Sequence, residues 1–593
     1  MADWPNLVTM FFRQADRFGE RPLLWHKRGG RWVPLTWREV ALKICLLARG
    51  LRSLGIQPGD RVVLVSENRP AWFVADFAIM AVGAITVPAY TTNTEADHFH
   101  LLDNSGAAAI VVSTRRLAEK VLKAALRCPD VRFLVAIEEL APPEQAQFEV
   151  LTWQQVMERG EGNHTNVRAT AAQFTADDLA CIIYTSGTGG APKGVLLSHG
   201  AILANIAGAT EVLKELGLGD EVFFSFLPLS HAYEHSVGQF LPIGLGAEIY
   251  YAESVDRVAV DLAEVKPTIF LAVPRFFEVI QQRILHGIRK QGRLQQRLFE
   301  WTVSLGRRRH EQPESLGLGA RLANLLLDRL VRNSIRARFG GRLKAMVSGG
   351  AALDPGLAIF FHAIGLPVFQ GYGQTEAAPL ISVNRPSRPR LYTVGPPIAG
   401  VEAKIADDGE ILVRGPVLMR GYWRNEEATA QALRGGWLHT GDVGEIDEDG
   451  NIHITDRKKD LLVVSGGDNI SPARIENLLT QRPQIAQALV WGDGRPHLVA
   501  LLVPDADWLR AWAQDAGKPG DLPALTEDPA LRAALAAAVD EVNRGLSVIE
   551  KIRRFAIAPE PFTLGNGQMT PTLKIRRHAV GSVYRDRLAA LYD

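Results

Sequence analysis

The stretch RVVLVSENRPAWFVADFAIMAVGAITVPAY, Arg61–Tyr90, decides the architecture. RVVLVSE (61–67) carries four apolar residues in a row, the pattern of a strand buried on both faces. Pro70 opens an apolar helical segment, 71–81, a position where the missing N–H costs nothing. AITVPAY follows as a second strand. Asp76, Gly83 and Pro88 interrupt the stretch, so it reads as buried helix and strand and not as a membrane span. AAAIVVS (107–113) continues the series, and a β-α-β-α order implies parallel strands buried on both faces.

Working outward, the same texture returns in LACIIYTS (179–186), EVFFSFLP (221–228), TIFLAVP (268–274), LKAMVSGG (343–350) and PVFQGYG (367–373). Open sheets of this kind place ligands in loops at the carboxyl ends of strands, where the glycine-rich segments fall here. After about Pro389, short strands (EILVRGP, NIHITD) and turns such as DDGE and DEDG predict a small β-rich module. Beyond Asp456 come RKKD, SGGDNISP and QIAQALVWGDGRPHLVALLVPD, the last reading as two strands joined by a GDG turn. The expected class is α/β: a large N-terminal domain, residues 1–457, of stacked parallel-rich sheets with the β-rich module, and a smaller mobile α+β domain, residues 458–593.

Composition narrows the function classes. Hydrophobic residues are 47% of the 593, enough for more than one core, and 66 Lys and Arg balance 65 Asp and Glu, so net charge predicts no nucleic-acid partner. Cys45, Cys128 and Cys181 have no metal-like spacing and suit a reducing cytosol. The N-terminus reaches charge too early for a signal peptide. One segment departs from this balance: residues 283–342 hold fourteen Lys and Arg against four Asp and Glu. Within it Ala323, Leu326, Leu327, Leu330 and Val331 follow helical spacing, and Arg329, Arg332 and Arg336 recur on another face. That face is either simply solvated or meets anionic lipid headgroups at the inner face of a membrane.

The strongest chemical signal is YTSGTGGAPKG, Tyr184–Gly194, directly after a strand. Hydroxyls, glycines and a lysine in one loop make a donor-rich phosphate cradle. A Walker A loop from Gly187 fails because Pro192 stands where a glycine is needed and Gly194 where Ser or Thr is needed; a dinucleotide GxGxxG fails at the same proline.

The loop resembles the signature of the acyl-adenylate-forming superfamily, (Y)TSGTTGxPKG, with Gly189 in place of the second threonine. Six further segments resemble motifs of that family, in order: LPLSHAYEHSVG (227–238), VSGGAAL (347–353), QGYGQTEAAP (370–379), GWLHTGDVGEID (436–447), TDRKKDLLVVSGGDNISP (455–472) and TPTLKIRR (570–577). The resemblance implies an AMP-forming acyl-CoA ligase with ATP and coenzyme A as co-substrates and Mg²⁺ as cofactor. It implies that Thr185, Ser186, Gly187, Thr188 and Lys193 cradle the phosphates, and that Glu376 and Thr188 approach the Mg²⁺, which takes hard oxygen ligands. Tyr372 would stack on adenine beside Gly349, Gly350 and Ala351, where absent side chains let the base lie on backbone; Gly371, Gly373 and Thr375 belong to the same nucleotide site. Asp442 would bind the ribose hydroxyls, with Arg457 reinforcing it. His231 would position the substrate carboxylate or act as acid–base, and His235 and Tyr233 would line the acyl entrance. Lys574 would bridge carboxylate and α-phosphate during adenylation. Lys459 falls at the family's hinge, and Ser465, Gly466 and Gly467 along the pantetheine path. No cysteine lies in these motifs, so coenzyme A, not an enzyme thiol, is the implied acceptor.

The basic segment and HAYEHSVG resemble long-chain members, so a fatty acid, medium to long in chain, is the expected substrate. The rivals are an adenylating enzyme that loads a carrier protein, an aryl- or short-chain ligase, and a non-catalytic acyl-binding relative, against which Lys574, Glu376 and Asp442 argue.

Overall fold

The computed structural model describes residues 4–140, 146–185, 191–312, 317–458, 461–464, 469–570 and 574–593. The chain divides into two compact units, one of residues 1–404, 412–440 and 446–453, the other of 405–411, 441–445 and 454–593.

The larger unit is built on two eight-stranded sheets. The opening stretch forms the middle of one. Strand Arg61–Val65 lies between Ile85–Ala89 and Ala109–Val112, parallel to both, and Phe133–Ala136 and Glu149–Thr152 extend the parallel series. Helix Pro70–Ala81 starts on its proline and is buried along nearly all its length. In the second sheet Glu248–Tyr251, Val222–Ser225, Ile269–Ala272, Ala345–Ser348 and Val368–Gly373 run parallel in that order. Strands covered on both faces bury every residue, as VFFS and IFLA do. Each fully buried Val, Ile, Leu or Phe contributes about 1.5–3 kcal/mol. Short strands between residues 402 and 457 form the separate five-stranded sheet expected of the β-rich module.

One connection departs from the parallel expectation. Leu179–Thr185 and Lys193–Ser198 pair antiparallel, Thr185 opposite Lys193. The glycine-rich loop therefore caps a hairpin and does not lead into a helix. Residues 186–190 lie outside the described residues.

In the smaller unit Ile485–Trp491 and Leu498–Pro504 form the expected hairpin, and Ile552–Ile557 adds a parallel third strand. Alternate residues of Leu498–Pro504 feed two cores: Leu498, Ala500 and Leu502 pack with Leu531 and Leu535, and Val499, Leu501 and Val503 with Phe562, Val580 and Leu588.

The basic segment corrects the sequence reading. It holds helices Pro274–Arg289 and Arg293–Glu311, then Leu318–Leu327, a π turn Asp328–Arg332 and helix Asn333–Arg338. The wide turn shifts the faces, so the proposed stripe and basic face do not run straight. Arg332 is 5% exposed and donates from Nε to Ala363 O at 2.6 Å. Arg336 forks onto Asp328 at 2.8 and 3.1 Å and donates to Gly365 O. Of the three arginines read as a lipid-facing row, Arg332 is thus an internal fastener and half-buried Arg336 is engaged by Asp328 and Gly365 O, and Leu326 and Leu330 of the apolar stripe are exposed. No helix among the described residues is long and apolar enough to cross a membrane.

Candidate adenylation site

The hairpin register sets Thr185 and Lys193 side by side where the glycine-rich loop leaves the sheet. Ser186, Gly187 and Thr188 lie outside the described residues. The strand end behind them is fastened from several directions. His100 Nε2 donates to Pro192 O at 2.9 Å, Trp423 N donates to Gly194 O at 2.7 Å, and Trp423 Nε1 donates to Asn104 O at 2.9 Å. Gly194 admits no side chain, since a Cβ there would stand 2.7 Å from Ile182 Cγ2 and 3.1 Å from the Tyr184 ring. A cavity of about 300 Å³ opens beside Lys193, walled by His100, Asn104, Pro192, Trp423 and Arg424.

Glu376 enters from the other sheet. Strand Val368–Gly373 ends in the short turn Thr375–Ala377 that carries it. Gly373 passes so close to the returning chain that a Cβ would lie 1.8 Å from Pro379 O. Asn205, buried in helix His199–Lys214, donates to Ala377 O at 3.2 Å and Leu380 O at 2.8 Å, fixing the turn's far side. Segment 419–423 then ties the turn to the phosphate-loop strand. Met419 N donates to Glu376 O at 2.9 Å, Tyr422 OH donates to Glu376 Oε1 at 2.8 Å, and Gly421–Tyr422 pairs antiparallel with Leu196 and Val195. Lys193 Nζ stands 5.1 Å over the Tyr422 ring. Burial and the Glu376 charge push the Tyr422 hydroxyl well above its ordinary pKa, so it is a donor throughout the working range. Tyr422, Asn205, Trp423 and His100 carry no motif in the sequence; a lone Asn in the apolar run ILANIAGAT is the one available signal.

The residues expected to form a nucleotide pocket are placed less simply than the sequence suggests. Tyr372 is 7% exposed, between Gly371 and Gly373 on the strand. Gly349 is bare for a protein neighbour: a Cβ there would meet the Tyr233 ring at 2.9 Å, which by itself accounts for the missing side chain. Gly350 has φ +82°, a conformation that favours glycine, and Ala351 is exposed. Thr375 is buried.

His231 is half-buried, and its Nδ1 accepts from Tyr233 N at 3.2 Å. Tyr233 OH donates to Val347 O at 3.0 Å. Beyond it Glu234–Phe240 forms a π turn, a conformation often found at functional sites. The expectation that His235 lines an acyl entrance is corrected: it is 1% exposed, with Nε2 2.9 Å from Asp76 Oδ2, and Gln239 Nε2 donates to the same oxygen at 2.8 Å. Glu234 is equally buried, and burial, opposed only in part by a hydrogen bond from Ser225, raises its pKa to about 8.

The smaller unit holds the remaining residues. Asp442 is buried and accepts from Arg457 Nε at 2.8 Å. Lys458 bonds Asp408 at 2.5 Å and Glu410 at 3.0 Å, and these partners raise its pKa. Lys574 is exposed, its N–H donating to Thr570 Oγ1 at 3.1 Å and its carbonyl accepting from Thr570 N at 2.8 Å. Lys459, Ser465, Gly466 and Gly467 lie outside the described residues.

The pattern of the AMP-binding enzyme family matches residues 11–423, and that of the AMP-binding enzyme C-terminal domain matches 459–593. The chain is 35% identical to long-chain-fatty-acid–CoA ligase FadD15 of Mycobacterium bovis, over 99% of this chain and 97% of that one. It is 31% identical to the peroxisomal long chain acyl-CoA synthetase 7 of Arabidopsis thaliana, over 95% of this chain and 82% of that one. Among solved structures it resembles the A-PCP didomain of a carboxylic acid reductase from Segniliparus rugosus in complex with AMP, with TM-score 0.77 and 21% identity over 100% and 82% of the two chains. It also resembles the anthranilate CoA ligase AuaEII in complex with anthranoyl-AMP, with TM-score 0.71 and 22% identity over 98% of each. The structural likenesses establish the fold, and the sequence matches establish the lineage: the chain belongs to the AMP-binding enzyme family.

Proposed function

We propose that this protein activates a long-chain fatty acid with ATP and transfers the acyl group to coenzyme A. The observation that carries the reading is the full-length likeness to relatives named for that reaction, with Lys193 and Glu376 joined through Tyr422 at one site. A carboxylate oxygen of the acid bonds to the α-phosphorus of ATP as the bond from that phosphorus to the bridging oxygen breaks, and pyrophosphate leaves. The thiol of coenzyme A then bonds to the acyl carbon, AMP departs with the carboxylate oxygen, and the thiol proton passes to solvent.

In this reading Thr185, Ser186, Gly187, Thr188 and Lys193 hold the phosphates. Tyr372 covers the adenine with Gly349, Gly350, Ala351, Gly371, Gly373 and Thr375. Asp442 binds the ribose and is held in place by Arg457. His231, whose Nδ1 accepts from Tyr233 N, orients the carboxylate. Lys574 bridges the carboxylate and the α-phosphate, placing the charges in line for transfer. Glu376 would hold Mg²⁺ together with phosphate oxygens of the nucleotide, a carboxylate being the kind of hard oxygen ligand this ion takes, and Thr188, which lies outside the described residues, completes the set in this reading. Bound there, the ion would neutralise charge on the departing pyrophosphate. The division at 457/458, with Lys459 as hinge and Ser465, Gly466 and Gly467 along the pantetheine path, belongs to the same proposal.

The test is product identification with acids of graded chain length, ATP and either coenzyme A or a phosphopantetheinylated carrier protein. AMP, pyrophosphate and a long-chain acyl-CoA are expected. ADP and phosphate would refute adenylation; an acyl-carrier product without acyl-CoA would replace the acceptor.

A further inference from the structure

Helix Leu318–Leu327 turns an apolar face away from the protein. At about 100° per residue, Leu318, Leu322, Leu325 and Leu326 share an arc of about 100°. Leu327, on the opposite side, is fully buried and anchors the helix. The four leucines are 79, 69, 68 and 56% exposed, and Leu330, beyond the helix in the π turn, is 56% exposed. Scattered exposed leucines are ordinary; five within thirteen residues, four of them on one helix face, form a patch of the kind that marks a docking surface.

Charge selects the occupant. The patch lies in the 283–342 segment with its fourteen Lys and Arg against four Asp and Glu, and Arg321 and Arg329 are exposed among the leucines. A second copy of this chain would set the same arginines against these, a like-charge meeting that opposes association. An anionic lipid surface supplies what both residue types need, acyl chains beneath and phosphate groups around. The helix is ten residues long, suited to lying in the interface and too short to cross.

We propose that the leucine face of residues 318–330 inserts into the surface layer of an anionic membrane, with Arg321 and Arg329 among the headgroups. This replaces the row Arg329, Arg332 and Arg336, of which only Arg329 is free to face lipid. The inference rests in part on the proposed function, because a long-chain acid partitions into bilayers. It is tested without substrate, so the two readings fail separately.

The experiment is co-sedimentation of the full chain with phosphatidylcholine vesicles, with and without phosphatidylglycerol, at low and high salt. The variants are Leu322→Ser/Leu325→Ser/Leu326→Ser and Arg321→Gln/Arg329→Gln. The wild type is expected to bind the anionic vesicles. The leucine variant should lose at least about tenfold in binding at both salt concentrations, because buried apolar area drives insertion. The arginine variant should lose about tenfold at low salt and less at high salt. An unchanged circular-dichroism spectrum and thermal midpoint certify the fold, and single Leu322→Ser and Leu325→Ser variants stand in if the triple variant does not fold. Equal binding by the wild type and the leucine variants overturns the proposal, as does a wild type that ignores both kinds of vesicle. Sedimentation velocity supplies the other refutation: a wild-type dimer that the leucine substitutions abolish would assign the face to a second copy.

Discussion

Tyr422 donates its hydroxyl to Glu376 Oε1 at 2.8 Å and carries Lys193 Nζ 5.1 Å above its ring, so one side chain links the carboxylate and the ammonium proposed to serve the phosphates. Its backbone is held independently, by pairing with Val195. Tyr422→Phe therefore removes the hydroxyl and leaves the strand. A hydrogen bond to a charged group contributes about 1.5–3 kcal/mol, so kcat/KM for adenylation is expected to fall about ten- to a hundredfold. The Mg²⁺ concentration for half-maximal pyrophosphate release should rise, and thioester formation from preformed acyl-AMP should persist. Unchanged pyrophosphate release across a Mg²⁺ titration would remove Tyr422 from the site's support.

Lys574→Ala should separate the half-reactions. If Lys574 aligns the carboxylate with the α-phosphate, its loss lowers the adenylation kcat by orders of magnitude. Coenzyme A should still take the acyl group from chemically prepared acyl-AMP at nearly the wild-type rate. A folded variant that lost both steps equally would contradict the two-step assignment of the smaller unit.

Asn205→Ala should weaken both the fold and the site. The substitution leaves Ala377 O and Leu380 O without their buried donor, at a cost of about 1–3 kcal/mol in stability. Because those carbonyls flank Glu376, the KM for MgATP should rise with the fall in midpoint temperature. A midpoint shift with an unaltered KM would confine Asn205 to packing.

Glu234 makes stability fall as pH rises. Its folded pKa, about 8, lies above the model-compound value of 4.5, so the folded state holds a proton that the unfolded state has released. Stability is therefore lost between those values, at up to about 1.4 kcal/mol per pH unit. His98, His199 and His362, lowered by burial to about 4, act oppositely, and only below about pH 6.5, where the unfolded state takes up protons. The histidines contribute equally to wild type and Glu234→Gln, so the difference between the two proteins in denaturant midpoint from pH 7 to 8 isolates Glu234. The wild type should lose stability across that window, and Glu234→Gln should flatten the slope. Parallel slopes would show Glu234 ionised in the folded protein.

Local patterns were enough for several features because each depends on chain neighbours. Four consecutive apolar residues can only be buried on both faces, hence the parallel core around Arg61–Val65. Pro70 could only begin its helix. QIAQALVW and HLVALLVP could pair across GDGRP because a short turn leaves strands little else to do. The motif order from Tyr184 to Arg577 carried the lineage in the same way, without distances.

What depended on residues far apart in the chain needed the tertiary structure. Tyr422 reaches Glu376 from 46 positions away, and Asn205 reaches Ala377 from 172, so neither partnership leaves a periodic trace. The bareness of Gly349 was explained by Tyr233, a ring 116 positions earlier. His235 could be read as an entrance residue until burial joined it to Asp76, and Arg332 as a surface cation until the π turn rotated it onto Ala363 O. Sequence determines which local elements form, through periodicity and backbone constraint. Which face of each element meets another, and therefore whether an arginine fastens the core or a leucine meets solvent, is decided by packing among segments that the chain brings together only on folding.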